Sequence, residues 1–294
     1  VADPPLYPRF LRPRVAEALL DTPVVLIHGS RQCGKTTLAR IVGAEGGYAY
    51  ISFDDAVALA AAEADPVGFV ADLPERTVLD EVQRAPGIFA ALKASVDRRR
   101  TPGRFILTGS ANVLLVPRLA ESLAGRMEIL RLHPLAQCEL AGVPSRFLDG
   151  LFGGAIETAG TERLGPAELA GRMVAGGYPA ALARPTARRR RAWYANYLET
   201  VTQRDVRDLA RIGALDALPR LLVLAAGQTA RLINVSDLAG PLRLSRPTID
   251  DYVTLLERLF LLERLAPWHS NRLSRLVKTP KLHVGDSGLA AAAV

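Results

Sequence analysis

One fourteen-residue stretch constrains this chain more than any other. Val24-Val25-Leu26-Ile27-His28-Gly29-Ser30-Arg31-Gln32-Cys33-Gly34-Lys35-Thr36-Thr37 opens as an unbroken apolar strand and passes through a loop bounded by two glycines. It ends at the start of a helix, which Leu38, Ala39, Ile41 and Val42 continue at helical spacing. The spacing Gly29-x4-Gly34-Lys35-Thr36 is that of a phosphate-binding loop. Glycine lets the backbone curl so that its N–H groups converge on an anion, and the helix that follows adds its positive end. Gly29, Ser30, Arg31, Gln32, Cys33, Gly34, Lys35, Thr36 and Thr37 are therefore the expected nucleotide-binding residues. Lys35 is expected to reach the β- and γ-phosphates of ATP, and the Thr36 hydroxyl to hold Mg2+. Cys33 reads as a small residue tolerated in the loop, with an oxidation that blocks nucleotide as the sharper alternative.

The chain around this loop alternates strands and helices. The pattern predicts a short amphipathic helix over 9–20, a strand at Tyr48–Phe53 and an alanine-rich helix at Ala56–Ala64 that Asp65-Pro66 stops. Thr77-Val78-Leu79 then runs into Asp80-Glu81-Val82-Gln83, an apolar strand ending in two acids, the Walker B pattern. Asp80 is expected to hold the Mg2+ shell with Thr36, and Glu81 to polarise the attacking water. A parallel sheet would bring both to the edge that carries the loop. A helix over 85–100 follows, with Ile88, Phe89, Leu92 and Val96 on one face and Arg98-Arg99-Arg100 as a solvated end. A fourth strand, Arg104–Leu107, leads to Thr108, Ser110 and Asn112, candidates for contact with the γ-phosphate or its water, Ser110 standing in the binding set. Before a fifth strand at Met127–Leu132, Arg126 and Arg118 are candidates to stabilise transferred-phosphate charge in a neighbouring subunit, with Arg126 in the catalytic set.

The order of these motifs, with Leu107-Thr108-Gly109-Ser110, Leu123-Ala124-Gly125-Arg126 and Leu132-His133-Pro134-Leu135, resembles a family of prokaryotic AAA-superfamily P-loop ATPases that carry a C-terminal domain of unknown function. The likeness continues through Gly176-Gly177-Tyr178-Pro179, Gln203-Arg204-Asp205-Val206, Leu244-Ser245-Arg246-Pro247-Thr248 and the stretch from Lys278 to Leu289, so it spans nearly the whole chain. It implies an α/β fold, a P-loop NTPase parallel sheet sandwiched by helices, and it makes Arg204 a candidate nucleotide sensor. It also implies a further domain of restriction-endonuclease-like fold after Asp286-Ser287-Gly288-Leu289. This chain stops at Val294, so a shortened form is expected. Family members often carry alanine or valine where Cys33 stands.

The expected domains are an ATPase core over 1–135, a helical lid or connector over 136–215 and a winged-helix domain over 216–294. In the connector, 145–170 reads as loosely packed, and Arg188–Arg191 opens a helix in which Trp193 and Tyr197 share a face, a buried stripe rather than a base-stacking platform. In the last region Ser236 reads as an N-cap, Gly240-Pro241-Leu242 as a turn, Ser245-Arg246-Pro247-Thr248 as a helix start, and Leu261–Leu265 with Lys281–Val284 as a hairpin. Helix, turn, helix and hairpin make a winged helix. Its loop residues His269, Arg272, Arg275 and Lys278 suit phosphate contacts, whereas Asp250, Asp251 and Glu257 on the second helix repel them. Nucleic acid, a protein partner and a second copy of the chain are the partners in view beside ATP and ADP.

Charge leans the same way, at +7 with a pI near 9.8 over 294 residues. No run of about 18 uncharged apolar residues is present, so no membrane span is expected. Two cysteines make no disulfide framework, and Val1-Ala2-Asp3-Pro4-Pro5 lacks the form of a signal peptide, so a cytoplasmic protein is expected. The function expected is an ATP-hydrolysing AAA-type ATPase that couples nucleotide state to a macromolecular partner. A nucleotide-regulated DNA-binding switch is the alternative. A small-molecule kinase is disfavoured by Asp80-Glu81.

Overall fold

The computed structural model describes residues 6–110, 123–154, 164–205, 216–271, 273 and 278–294. They divide into two compact units, Pro8–His133 and Pro134–Val294, the second taking in Leu6 and Tyr7.

The first unit is built on five strands: β1 (Val24–His28), β2 (Ala49–Ser52), β3 (Thr77–Asp80), β4 (Phe105–Gly109) and β5 (Met127–Arg131). All pair in parallel, in the order β2-β3-β4-β1-β5. Five helices flank them: α1 (Leu11–Ala18), α2 (Lys35–Glu45), α3 (Ala56–Ala64), α4 (Pro66–Ala71) and α5 (Ile88–Arg98). Strand alternation sends side chains to two faces. Val24, Leu26, Leu79, Phe105 and Leu107 pack with Ile88, Phe89 and Leu92 of α5 on one face. Val25, Ile27, Val78 and Ile106 pack with Val15 of α1 and Leu38, Ala39 and Val42 of α2 on the other. Every residue of β1 is buried, each large side chain contributing about 1.5–3 kcal/mol of transfer free energy.

The register fixes which ends matter. Val24 lies level with Phe105 and Met127, and Phe105 with Thr77. His28, Gly109, Asp80 and Ser52 therefore end their strands at one carboxyl edge. The Asp65-Pro66 pair does not only stop a helix: Asp65 accepts from Gly68 N and starts α4 with Pro66 in its first turn, an element the pattern did not reveal.

The second unit contains α6 (Gln137–Ala141), α7 (Phe147–Gly153), α8 (Pro166–Ala175), α9 (Pro179–Leu182), α10 (Ala187–Thr200), a π-helical turn at Val201–Asp205, α11 (Ala217–Gly227), α12 (Val235–Leu242), α13 (Arg246–Arg258) and α14 (Ser287–Ala293). An antiparallel sheet joins β6 (Arg231–Leu232), β7 (Leu262–Leu265) and β8 (Lys281–Val284) in the order β6-β8-β7. The stretch read as loosely packed holds α7 and the start of α8, neither of which buries a residue; their apolar side chains, Phe147, Leu148, Leu151 and Phe152 in α7 and Leu169, Met173 and Val174 in α8, stay exposed. In α12 the cap is Asn234, whose side chain accepts from Ser236 N, in place of Ser236, and the helix runs on through Gly240, Pro241 and Leu242 rather than turning there. Ser245 caps α13 as expected.

Asp286 ties this unit together. It caps α14 by accepting from Leu289 N at 3.1 Å and accepts from Gly177 N at 2.7 Å. Gly176 has φ +64°, and a methyl group there would strike the Tyr194 hydroxyl and the Asp286 carboxylate. Burial raises the pKa of Asp286, although the backbone donors oppose it, and burial likewise raises that of Tyr194. Tyr194 donates to Ala175 O at 2.9 Å, and Trp193 stacks on Tyr197 with ring centroids 5.1 Å apart.

Candidate functional site

The loop after β1 curls as the glycines require. Gln32 and Gly34 have φ of +60° and +102°, and Gly34 starts α2 without a side-chain cap. The first N–H groups of α2 are therefore left without a side-chain cap, and no acid sits in the first turn. A side chain at Gly29 would run into the carbonyl oxygen of Leu132, so the loop lies directly against the chain leaving β5.

Lys35 is buried, and its ammonium donates to the carbonyl oxygens of Gly29 at 3.2 Å and Ser30 at 2.9 Å. The Ser30 hydroxyl is buried with no partner among the described residues. Arg31, Gln32 and Thr37 are exposed. Cys33 is fully buried as a free thiol, its sulfur 3.5 Å from Leu132 O, which agrees with the small-residue reading and leaves the thiol closed to oxidants.

The acid strand meets the loop. The Thr36 hydroxyl donates to the Asp80 carboxylate at 3.0 and 3.1 Å, and Tyr50 donates to the same carboxylate at 2.8 Å. Thr108 donates to it as well and accepts from Glu81 N at 3.1 Å. Glu81 adopts φ +58°, the left-handed region, which turns the chain sharply away from β3. Its carboxylate accepts from the Gln83 amide, which also donates to the Ser110 hydroxyl at 3.1 Å. The Gln83 carbonyl oxygen is buried without a partner among the described residues. Lys35, Thr36, Asp80, Glu81 and Ser110 thus stand on one sheet edge, linked through Thr108 and Gln83.

His28, the last residue of β1, is buried beside this cluster. Its pKa is lowered to about 4, first by burial and then by the charges of Arg131, Lys35 and His133, so the imidazole is neutral near pH 7.

Arg126 is not part of the cluster. It precedes β5 at the amino edge of the sheet, where its guanidinium forks onto the Asp97 carboxylate and also donates to Ala124 O. Arg118 and Asn112 lie outside the described residues, as do the side chains of Arg204 and Asp205. The arginines closing α5 are engaged rather than simply solvated: Arg99 pairs with Glu75 and Arg100 donates to Gly125 O.

Tyr50, Gln83 and Arg9 went unread in the sequence. Arg9 donates to the carbonyl oxygens of Cys33 and His133 and so pins the loop from the amino-terminal side. Tyr50 is one strand away from Asp80, and only the sheet order puts them side by side. Gln83 carried a signal, since it lies two residues after Glu81, but no spacing rule assigns that position a task.

Comparison with known proteins agrees with this architecture. Residues 21–141 match the model of the AAA domain, and residues 167–294 that of a domain of unknown function, DUF8612. Uncharacterized proteins of Mycobacterium tuberculosis and Mycobacterium bovis are each 31% identical over 277 residues, which is 94% of this chain and 57% of theirs. The chain thus spans little more than half the length of these relatives. A Walker-type ATPase of Pyrococcus abyssi superposes with a TM-score of 0.57 at 16% identity, over 98% of this chain and 96% of that one. That likeness shows the fold. Motifs, sheet order and domain matches together make the chain a member of the prokaryotic AAA-superfamily P-loop ATPases that carry a C-terminal domain of unknown function.

Proposed function

We propose that this chain binds Mg-ATP in the loop of Gly29–Thr37 and hydrolyses it, passing the change of state to a macromolecular partner. The observation that carries the reading is the contact between the Thr36 hydroxyl and the Asp80 carboxylate, which joins the phosphate loop to the acid strand. The fit to a triphosphate is local. An uncapped helix start, a buried lysine that donates to loop carbonyls and a Ser30 hydroxyl with no partner among the described residues are donors suited to phosphate oxygens. Among the described residues no three His, Cys, Asp or Glu side chains converge on a cation site. Asp80 and Thr36 would hold Mg2+ together with phosphate oxygens, the arrangement hard oxygen ligands favour. When bound, the metal neutralises phosphate charge.

The chain's own residues then divide the work. Lys35 leaves its carbonyl partners for the β- and γ-phosphates. Asp80 is held in one rotamer by Tyr50 and Thr108. Glu81 takes the proton of the attacking water, and Ser110, which accepts from Gln83, is assigned the contact with the γ-phosphate. In-line attack needs positioning and charge neutralisation rather than covalent chemistry. Arg126 is assigned a role only toward a neighbouring copy.

The test is calorimetry with Mg-ATP and phosphate release by purified protein. Lys35→Ala is expected to abolish binding. Glu81→Gln is expected to bind normally and turn over about a hundredfold or more slowly. Absence of binding heat in the parent chain refutes the reading.

Helix, strand, two helices and two strands from Ala217 to Val284 support reading that region as a winged helix, with 136–215 as lid or connector. Its third helix, α13, is poorly suited to duplex readout: Arg264 of β7 is bonded to Glu257 at 2.7 Å and lies 3.4 Å from Asp250, which leaves an acidic, internally paired face. Free Cys33 and Cys138 favour a reducing, cytoplasmic setting. No helix among the described residues is long and apolar enough to cross a membrane.

A further inference from the structure

We propose that the amino-terminal end of α10, with Arg184 before it, is a docking surface for the phosphate backbone of duplex nucleic acid, read without regard to sequence. From residue 169 to 198 the sequence holds six arginines, Arg172, Arg184 and Arg188–Arg191, and no Asp, Glu, Lys or His. Arg172 is paired with Glu168. Arg184, Arg188, Arg189 and Arg191 are exposed and enter no ion pair among the described residues. They contrast with Arg12, Arg84, Arg99 and Arg126, each of which has found a carboxylate. A good part of the chain's +7 therefore sits uncompensated within eight residues.

Stability does not explain the placement. Cations at the positive end of a helix raise the free energy of the folded state, and α10 has no acid in its first turn to offset them. Residues 188–191 advance about 100° each, so the exposed guanidinium groups of Arg188, Arg189 and Arg191 fan around the helix end as a cationic cap rather than a stripe, while Arg190 is partly buried. Such a cap fits a polyanion approached end-on.

The surroundings choose the polyanion. Single strands bind through stacking on exposed rings, but Tyr178, Tyr194 and Tyr197 are buried in their own cluster, with Trp193 stacked upon it. A membrane surface calls for apolar side chains that enter the interface. Among the described residues no large exposed apolar side chain lies between Val174 and Val223. Charge without rings and without apolar anchors matches phosphate contacts along a duplex. The proposal stands apart from the ATPase reading, because it is measured without nucleotide.

The experiment is fluorescence anisotropy of a random-sequence 30-base-pair duplex with the whole chain, across 50–200 mM salt. The triple variant Arg188→Ala, Arg189→Ala, Arg191→Ala is expected to lose about tenfold or more in affinity at 100 mM salt. Its plot of log affinity against log salt should be shallower by about 2–3, since each phosphate contact contributes close to 0.9. The triple Arg→Lys variant should keep most of both. A melting midpoint of the alanine variant at or above that of the parent shows that the fold is intact. No binding by the parent chain, an unchanged slope in the alanine variant, an equal loss in the lysine variant, or a preference for single strands or anionic vesicles over the duplex overturns the proposal.

Discussion

Gln83 illustrates how much one side chain can be asked to hold. Its amide donates both to Glu81 and to Ser110, while its carbonyl oxygen is buried without a partner among the described residues, a costly arrangement of about 1–3 kcal/mol. A lopsided amide of this kind is tolerated where it fixes something else, here the carboxylate proposed to receive the water's proton. Gln83→Met keeps the shape and removes the donors. We expect ATP turnover to fall about tenfold or more with ATP affinity within about twofold. Combined with Glu81→Gln, it should cost almost nothing further. Independent, multiplying effects in this double-mutant cycle would show that Gln83 does not act through Glu81.

Among the elements, the loop and the acid strand were legible because their chemistry lies in consecutive residues, whereas the partners that orient them come from other strands. Lys35, Thr36 and Asp80 could be placed from spacing alone. Tyr50 and Thr108 could not, because their task arises only once β3 is known to lie between β2 and β4. Composition outweighed period at α7 and α8, where glycines set among Phe147, Leu148, Leu151 and Phe152 read as loose packing, and residue type alone misplaced the cap of α12, where Asn234 and Ser236 were equally good candidates. The link from α14 to the Gly176-Gly177 turn is likewise invisible in the chain order. Asp286→Ala removes a helix cap and leaves the buried Gly177 N–H without its acceptor. We expect a loss of about 2–4 kcal/mol in denaturant unfolding. A loss near 1 kcal/mol would mean that the cap alone matters.

At the scale of the whole molecule, acid sensitivity should report on the nucleotide edge. His28 is neutral in the folded chain, with a pKa lowered to about 4, whereas the unfolded chain takes up the proton near 6.5. Between those values the unfolded state holds more protons, so stability rises with pH across the window and drains away as pH falls from about 6.5 toward 4. The contribution is on the order of 2 kcal/mol by linkage. Urea midpoints at pH 7 and pH 4.5 measure it. His28→Gln should flatten the difference, and an equally steep dependence in that variant would place the acid sensitivity elsewhere.

The sheet order has one more consequence. Because β4 separates the strand of the phosphate loop from the strand of the two acids, neither can shift against the other without disturbing Thr108, which grips Asp80 with its hydroxyl and is gripped in turn by the amide of Glu81. The middle strand is the go-between: one hydroxyl, that of Thr108, holds the carboxylate of Asp80 and the amide of Glu81 together, so its loss would loosen both acids at once.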